Sequence, residues 1–210
     1  MKPRLLDLFC GAGGAAMGYH RAGFEVIGVD NKPQPHYPFE FHQEDALEFP
    51  LEGYAAYHAS PPCQRFSQAT PEGSRESHPD LIAATRERLA ATAKPYVIEN
   101  VRRAPLKATL MLCGTMFGLN VIRHRYFEMR PDGPFAPFSC NHIKKACRQG
   151  RAPKEGEYHV VGGNFSGVKL AREAMGIDWM VRDELSQAIP PAYTEYIGKY
   201  LMRALEDDRL

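Results

Sequence analysis

The sequence predicts an α/β protein built on a doubly wound, mostly parallel sheet. Three observations carry that prediction. A short apolar run, Leu5 to Phe9, ends in the cluster Gly11-Ala12-Gly13-Gly14 and is followed by helix formers through Ala22. A second apolar run, Phe24 to Val29, then delivers Asp30, so strand, turn, helix and strand fit within about 30 residues, the length of a crossover unit joining parallel strands. Strand-like runs go on alternating with helical ones as far as Glu99, the pattern that places helices on both faces of a parallel sheet.

The elements follow in order. Gly23 closes the first helix, and a Pro-rich connection from Lys32 to Pro38 leads to a third strand around Phe39–His42, with Asp45 at or just after its end. Tyr54 to Ala59 reads as the fourth strand, and it runs straight into Ser60-Pro61-Pro62-Cys63. Gln64 to His78 is polar and lacks either period, which predicts a mobile loop of functional length. Apolar residues at helical spacing after Asp80 (Leu81, Ile82, Ala84, Leu89, Ala90) predict a helix, and Pro95–Ile98 a strand that presents Glu99. Beyond residue 105 the pattern changes. Leu112 to Leu119 is apolar and punctuated by glycine, Val121 to Met129 alternates like a strand around Arg123 and Arg125, and residues 130 to 157 are rich in Pro, Gly and basic side chains. A last helix starts near Pro190 and carries Tyr193, Tyr196, Ile197, Tyr200, Leu201 and Leu205.

The 210 residues fit one domain with a small appendage. A formal net charge of +1, from 26 basic and 25 acidic side chains, gives no global signature of nucleic-acid binding, so any such signal is local. No apolar stretch approaches the roughly 18 residues that span a bilayer, and the start of the chain enters an apolar strand directly. Five cysteines, an odd number, point to a reducing compartment. A soluble, unprocessed cytoplasmic protein with no membrane partner is expected.

Three groups can carry chemistry. Glycines after the first strand let backbone approach a nucleotide-like ligand, and Asp30 sits where a carboxylate accepts hydrogen bonds from ribose hydroxyls; a tight turn packing helix on sheet is the plainer reading. Asp45 fits either an adenine amino group or the cap of a turn before Ala46-Leu47. Cys63 follows two prolines that fix φ and push their predecessors toward extended backbone. A thiol held so stiffly is a candidate nucleophile if a neighbour makes its thiolate available, and a packing residue otherwise. Glu99 leaves an apolar strand, so burying it requires a partner or a task.

Taken in order, Asp7-Leu8-Phe9-Cys10-Gly11-Ala12-Gly13-Gly14, Ser60-Pro61-Pro62-Cys63-Gln64, Glu99-Asn100-Val101 and Arg123-His124-Arg125 resemble the motifs of the cytosine 5-methyltransferases. Ala174 to Trp179 and Ser186 to Pro191 are similar to that family's last two motifs, the second of which closes over the cofactor. The resemblance implies a Rossmann-like class I methyltransferase fold and S-adenosylmethionine as cofactor, contacted by Phe9, Gly11, Gly13, Asp30 and Asp45, with Ser60 and Pro62 bordering the transfer site. It implies Cys63 as the nucleophile for cytosine carbon 6, Glu99 as the carboxyl at nitrogen 3, Arg125 as the cation near oxygen 2 and Arg123 as its support. Duplex DNA with a flipped cytosine is the expected partner, and residues 64–78 the flap over the emptied base.

Asp30 stands where glutamate is more usual, and Asn120-Val121-Ile122 where Pro-Gln usually precedes the paired arginines. The largest departure is length. The expected division is a catalytic core at 1–129, a reduced recognition region at 130–174 and a C-terminal segment at 175–210, the compact form that mobile elements and bacterial viruses encode. Nucleic-acid contacts are expected from Gln64 and Ser67 and from the basic run Lys144, Lys145, Arg148, Arg151 and Lys154, although a solvated charged face would look the same. Cys140, His142 and Cys147 lack the paired spacing of a structural zinc site, so no metal is expected, and Cys10 and Cys113 read as packing residues. The same chemistry on RNA, on a free cytosine nucleotide or with another one-carbon donor stays open, as does a non-catalytic nucleic-acid-binding subunit.

Overall fold

The computed structural model describes residues 1–107, 110–132 and 139–207. Strands β1 (Arg4–Leu8), β2 (Glu25–Asp30), β3 (Glu40–Gln43), β4 (Ala56–Ala59), β5 (Tyr96–Asn100), β6 (Leu110–Leu112) and β7 (Arg125–Arg130) form one sheet in the order β3-β2-β1-β4-β5-β7-β6. Pairings among β1 to β5 are parallel, and β7 runs antiparallel to both β5 and β6. The expected doubly wound sheet is therefore present. Helix α1 (Gly14–Ala22) makes the first crossover and α2 (Ile82–Ala91) the one before β5. Asp80 Oδ1 accepts the Ile82 N–H at 3.1 Å and starts α2.

Side chains alternate across each strand, and the core divides accordingly. Leu5, Val26, Ala56 and Val97 face the layer of α1 and the last helix, α5 (Pro191–Asp207). Leu6, Leu8, Ile27, Tyr57, Tyr96 and Ile98 face the opposite layer, with Leu89 of α2. By the same alternation Asp7, His58 and Glu99, from three adjacent strands, share the α1/α5 face. A polar stripe thus crosses the centre of an apolar sheet. Helix α5 locks onto α1 at Gly18, where a Cβ would lie 2.6 Å from Glu195 N, and through Thr194 Oγ1, which donates to Ala15 O at 2.8 Å.

A third cluster holds Ala12 and Val121 against the C-terminal lobe, where α3 (Val168–Met175) and α4 (Arg182–Gln187) contribute Ala171, Met175 and Leu185 beside Val161 and Phe165. Within the expected recognition region, β8 (Lys145–Ala146) pairs with β9 (Glu157–Tyr158); residues 133–138 of that region lie outside the described residues. Among the described residues no helix is long and apolar enough to cross a membrane.

Two expectations are corrected. The strand expected over Val121–Met129 begins only at Arg125, because Val121 instead makes an isolated bridge with His159. The polar segment after Cys63 is not without regular structure, since Glu72–Ser77 forms a 3₁₀ turn. Arg65 Nη1 donates to Glu76 O and His78 O at 3.3 and 3.1 Å, and Arg75 Nε to Thr70 O at 3.1 Å. Two arginines tie the segment to its own carbonyls, an arrangement without a periodic signature.

Candidate active site

Strand order reverses between β1 and β4, and the crevice outside the carboxyl ends of the strands at such a point is where ligands bind in open parallel sheets. The loops after β1 and β4 both emerge there. Phe9 has φ +56°, an uncommon and strained conformation for a bulky side chain, and Gly11 has φ +49°. A Cβ on Gly11 would meet nothing within 4 Å, so open space borders the loop there. Asp30 holds the loop: its Oδ2 accepts the Gly11 N–H at 3.1 Å and its Oδ1 the Lys32 N–H at 3.0 Å. Trp179 Nε1–H donates to Ala12 O at 2.8 Å, and Ile189 O lies 2.6 Å from where a Cβ of Gly14 would stand. Both C-terminal motifs therefore sit on the glycine loop. Asp45 is exposed, and its Oδ1 caps the following turn by accepting the Leu47 N–H at 2.8 Å.

The thiol corner is held from three sides. Ser60 N–H donates to Leu8 O at 3.1 Å, continuing the β1–β4 ladder past the strand end. Asn100 Nδ2 donates to Pro61 O at 2.8 Å, fixing the first proline, and Cys63 O accepts the Phe66 and Ser67 N–H groups at 3.0 and 2.9 Å. Cys63 itself is half-buried. Burial pushes its thiol pKa up and Glu99 adds to the rise, with Arg125 and Arg123 opposing it. The thiol rather than the thiolate is therefore the favoured form at neutral pH.

Because β7 is antiparallel, its first residue lies at the carboxyl end of β5. Arg125 thereby reaches Glu99, with Nε 2.9 Å from Oε1. Burial raises the Glu99 pKa, and Arg125, Arg123 and the Ser60 hydroxyl oppose that rise. Burial thus pushes Glu99 toward the carboxylic acid while the arginine beside it holds the carboxylate, so the proton is poised between the two forms. Arg123 is anchored to backbone. It is buried and donates to Val161 O and, at 2.9 Å, to Ser186 O, while Tyr193 OH donates to its carbonyl at 2.6 Å. Burial first, then Arg125, lowers its pKa to about 9. Its guanidinium joins the C-terminal lobe to the sheet edge.

Two groups were given no role by motif reading. Tyr19 OH lies 2.8 Å from His58 Nδ1, and His58 Nε2 lies 2.9 Å from Ser60 Oγ. Burial lowers the His58 pKa to about 3, so the ring is neutral, with one donor and one acceptor nitrogen. With Tyr19 donating to Nδ1 and Nε2–H donating to Ser60, the serine hydroxyl is left to donate to Glu99. A histidine inside the apolar run Ala56–Ala59 is the signal that could have found this chain. Asp7 is fully buried with neither carboxyl oxygen hydrogen-bonded among the described residues, and burial, then Asp30, raises its pKa well above the usual range.

The expected nucleic-acid contacts separate. Ser67 Oγ accepts the Ala69 N–H at 3.1 Å, and Arg151 forms a two-pronged pair with Glu157 at 2.8 Å, so both have internal partners. The carboxylate that neutralises Arg151 follows it by six residues, beyond the run that suggested a basic patch. Lys144 donates to Asn120 Oδ1 at 3.1 Å and lies 5.4 Å from the centre of the Tyr158 ring. Lys145 and Arg148 are exposed with no side-chain partner among the described residues. Gln64 Oε1 is buried and unpartnered. Cys147 packs alone, accepting the Val160 N–H at 3.3 Å, whereas Cys113, expected as packing, lies with its Sγ 3.4 Å from His142 Nε2.

The family model for C-5 cytosine-specific DNA methylases matches residues 3–108, about half of the chain, including the glycine loop, the Pro-Pro-Cys corner and Glu99-Asn100. The chain belongs to that family. No curated protein sequence matches it significantly. Among solved structures it is similar to a DNA modification methyltransferase encoded within an E. coli prophage, at 14% identity and TM-score 0.69, covering 98% of this chain and 100% of that one. It is also similar to S. pombe Dnmt2 methyltransferase (11% identity, TM-score 0.66, 98% and 99% covered) and to Entamoeba histolytica methyltransferase EhMeth (13%, 0.63, 100% and 99%). At these identities the likeness shows the methyltransferase fold.

The methyl donor of this C-5 cytosine methylase is S-adenosylmethionine, and the residues present fit it. Gly11 borders open space at the switch point, Asp30 and Asp45 stand at the ends of adjacent strands, and the strained Phe9 backbone turns the loop between them. When bound, the donor supplies an electrophilic methyl group.

Proposed function

We propose that this C-5 cytosine methylase methylates carbon 5 of cytosine in DNA through a covalent bond between Cys63 and carbon 6. One observation carries the reading: topology gathers a stiffly held thiol, a buried carboxyl with a raised pKa and an arginine paired to it at the carboxyl ends of the parallel strands, beside the glycine loop. Cytosine carbon 5 is a poor nucleophile until a thiolate adds at carbon 6. The addition moves an electron pair toward nitrogen 3 and oxygen 2. Glu99 as the acid donates a proton or a short hydrogen bond at nitrogen 3, and Arg125 stabilises charge at oxygen 2. After carbon 5 accepts the methyl group, its proton leaves to water and elimination returns the Cys63 thiolate.

Proton count supports the pairing. Cys63 thiolate with Glu99 acid holds as many protons as Cys63 thiol with Glu99 carboxylate, so the reactive form is reached by redistribution within the singly protonated pair. Arg123 and the Tyr19–His58–Ser60 chain serve as positioning groups. Phe9, Gly11, Gly13, Asp30, Asp45, Ser60 and Pro62 border the donor. Gln64, Lys145 and Arg148 are the contacts left for nucleic acid.

DNA is favoured by the family's description and by the prophage DNA modification methyltransferase that shares the fold. The test incubates the protein with labelled S-adenosylmethionine and, separately, duplex DNA, single-stranded DNA, tRNA or dCMP, then looks for 5-methylcytosine. Label in duplex DNA that Cys63→Ser abolishes is the expected result. Label confined to tRNA or dCMP overturns the DNA assignment, and 5-fluorocytosine DNA that forms no adduct at Cys63 overturns the covalent step.

A further inference from the structure

Among the described residues, one group of metal-ligating side chains lies apart from the thiol corner: Cys113, His124, Cys140 and His142, whose ligand atoms all lie within 4.8 Å of one another. Cys113 Sγ is 3.4 Å from His142 Nε2, His124 Nε2 is 3.3 Å from Cys140 Sγ, and Cys140 Sγ is 2.7 Å from His142 Nε2. All five cysteines of the chain are free thiols. We propose that these four side chains bind one structural zinc ion.

The donor chemistry supports zinc. Two sulfurs and two imidazole nitrogens are a closed tetrahedral set for Zn²⁺, whose bonds of about 2.3 Å to sulfur and 2.0–2.1 Å to nitrogen place neighbouring ligand atoms roughly 3.4–3.8 Å apart. Two of the contacts are near that spacing already. The 2.7 Å contact opens if His142, the exposed member, moves outward by roughly 1 Å to meet the ion. Both thiols lose a proton on binding, and the two thiolates neutralise the ion. Sequence spacing hides the set, because its members come from three places: the end of β6, the peptide between the paired arginines, and the segment before β8. Of the three side chains weighed for zinc in the sequence, Cys140 and His142 are members and Cys147 is not.

The position gives the ion a task. His124 stands between Arg123 and Arg125, and Arg125 Nη1 donates to His124 O at 2.9 Å. An ion gripping the His124 ring fixes the peptide that aims Arg125 at Glu99. Through Cys140 and His142 it also ties the reduced recognition region to the sheet edge. Between residues 139 and 160 the described chain has only the two-residue strands β8 and β9 as regular structure, and segments too small to build a core commonly rely on such cross-links.

The full chain, expressed with zinc and purified under reducing conditions, should carry about one zinc per protein by elemental analysis, and cobalt(II) in its place should give the intense visible bands of a tetrahedral sulfur-ligated ion. Cys140→Ser and His142→Ala should weaken metal binding at least about tenfold, while Cys147→Ser keeps the full stoichiometry. His142 is exposed, so its loss tests the site without emptying the core. Removing zinc with a chelator should lower the melting temperature, and adding Zn²⁺ should restore it. These readouts do not depend on methyl transfer. Reduced protein that holds no zinc and gives no tetrahedral cobalt spectrum overturns the proposal. So does an unchanged stoichiometry in both ligand variants.

Discussion

Asn100→Ala tests how the thiol corner is built. The carboxamide is buried at 1% exposure, donates to Pro61 O at 2.8 Å and accepts the Val101 N–H at 2.9 Å. Truncation strands a buried acceptor and a backbone donor, each costing about 1–3 kcal/mol where no other partner exists. The expected loss is about 2–6 kcal/mol, a large part of a typical stability of about 5–15 kcal/mol. Urea unfolding measures it. The catalytic effect should be separate: with Pro61 released, a shift of Cys63 by about 1 Å would slow adduct formation with 5-fluorocytosine DNA by about 100-fold. Donor affinity should change little, since the glycine loop is held by Asp30 and Trp179. Asn100→Asp should be at least as damaging, because it sets one acceptor against another. A stability loss below about 0.5 kcal/mol, within the range of ordinary surface substitutions, together with a wild-type adduct rate, would refute the claim that Asn100 holds the corner.

Three further outcomes are expected. The rate of a single turnover should be bell-shaped in pH, and Glu99→Gln, besides slowing the reaction, should lose the alkaline descent, leaving a rate that rises with pH as Cys63 ionises; a retained bell would show that another group is the acid. Asp7 has a raised folded pKa, so its pH-dependent contribution is absent below the unfolded value near 4 and destabilises increasingly as pH rises toward the folded value. Asp7→Asn should therefore gain on the wild type by up to about 1.4 kcal/mol per pH unit across that window, read from urea midpoints at several pH values, and a pH-independent difference would contradict the neutral-acid assignment. Arg123→Leu strands the carbonyls of Val161 and Ser186 and should cost about 2–5 kcal/mol, with earlier proteolysis of the C-terminal lobe, whereas a stable variant defective only in transfer would make Arg123 a catalytic group.

The parallel sheet was legible because central strands buried on both faces read as continuous apolar runs, and Leu5–Phe9, Phe24–Val29 and Pro95–Ile98 are such runs. The candidate site was legible to the extent that it lies in ordered motifs: Cys63, Glu99 and Arg125 were named from the chain, and the structure brings them together at the carboxyl ends of β4 and β5. The internal order of the segment after Cys63 was not legible because Arg65 and Arg75 organise it through carbonyls, which leave no pattern in side-chain identity. The pairing of Arg151 was not legible because its acid lies outside the basic run, nor was the anchoring of Arg123, whose partners are backbone carbonyls 38 and 63 residues away.

Local order along the chain was enough for the strand–helix alternation, the glycine loop, the stiff thiol corner and the family, since each depends on residues within a few positions of one another. Folding alone decided which polar groups share a face. Asp7, His58 and Glu99 form one stripe because three strands pair in register, and Arg125 finds Glu99 because β7 is reversed. Cys113, His124, Cys140 and His142 converge because β6 and β7 bring distant segments to one edge. Such groupings depend on pairings across dozens of residues, which side-chain spacing along a chain does not encode.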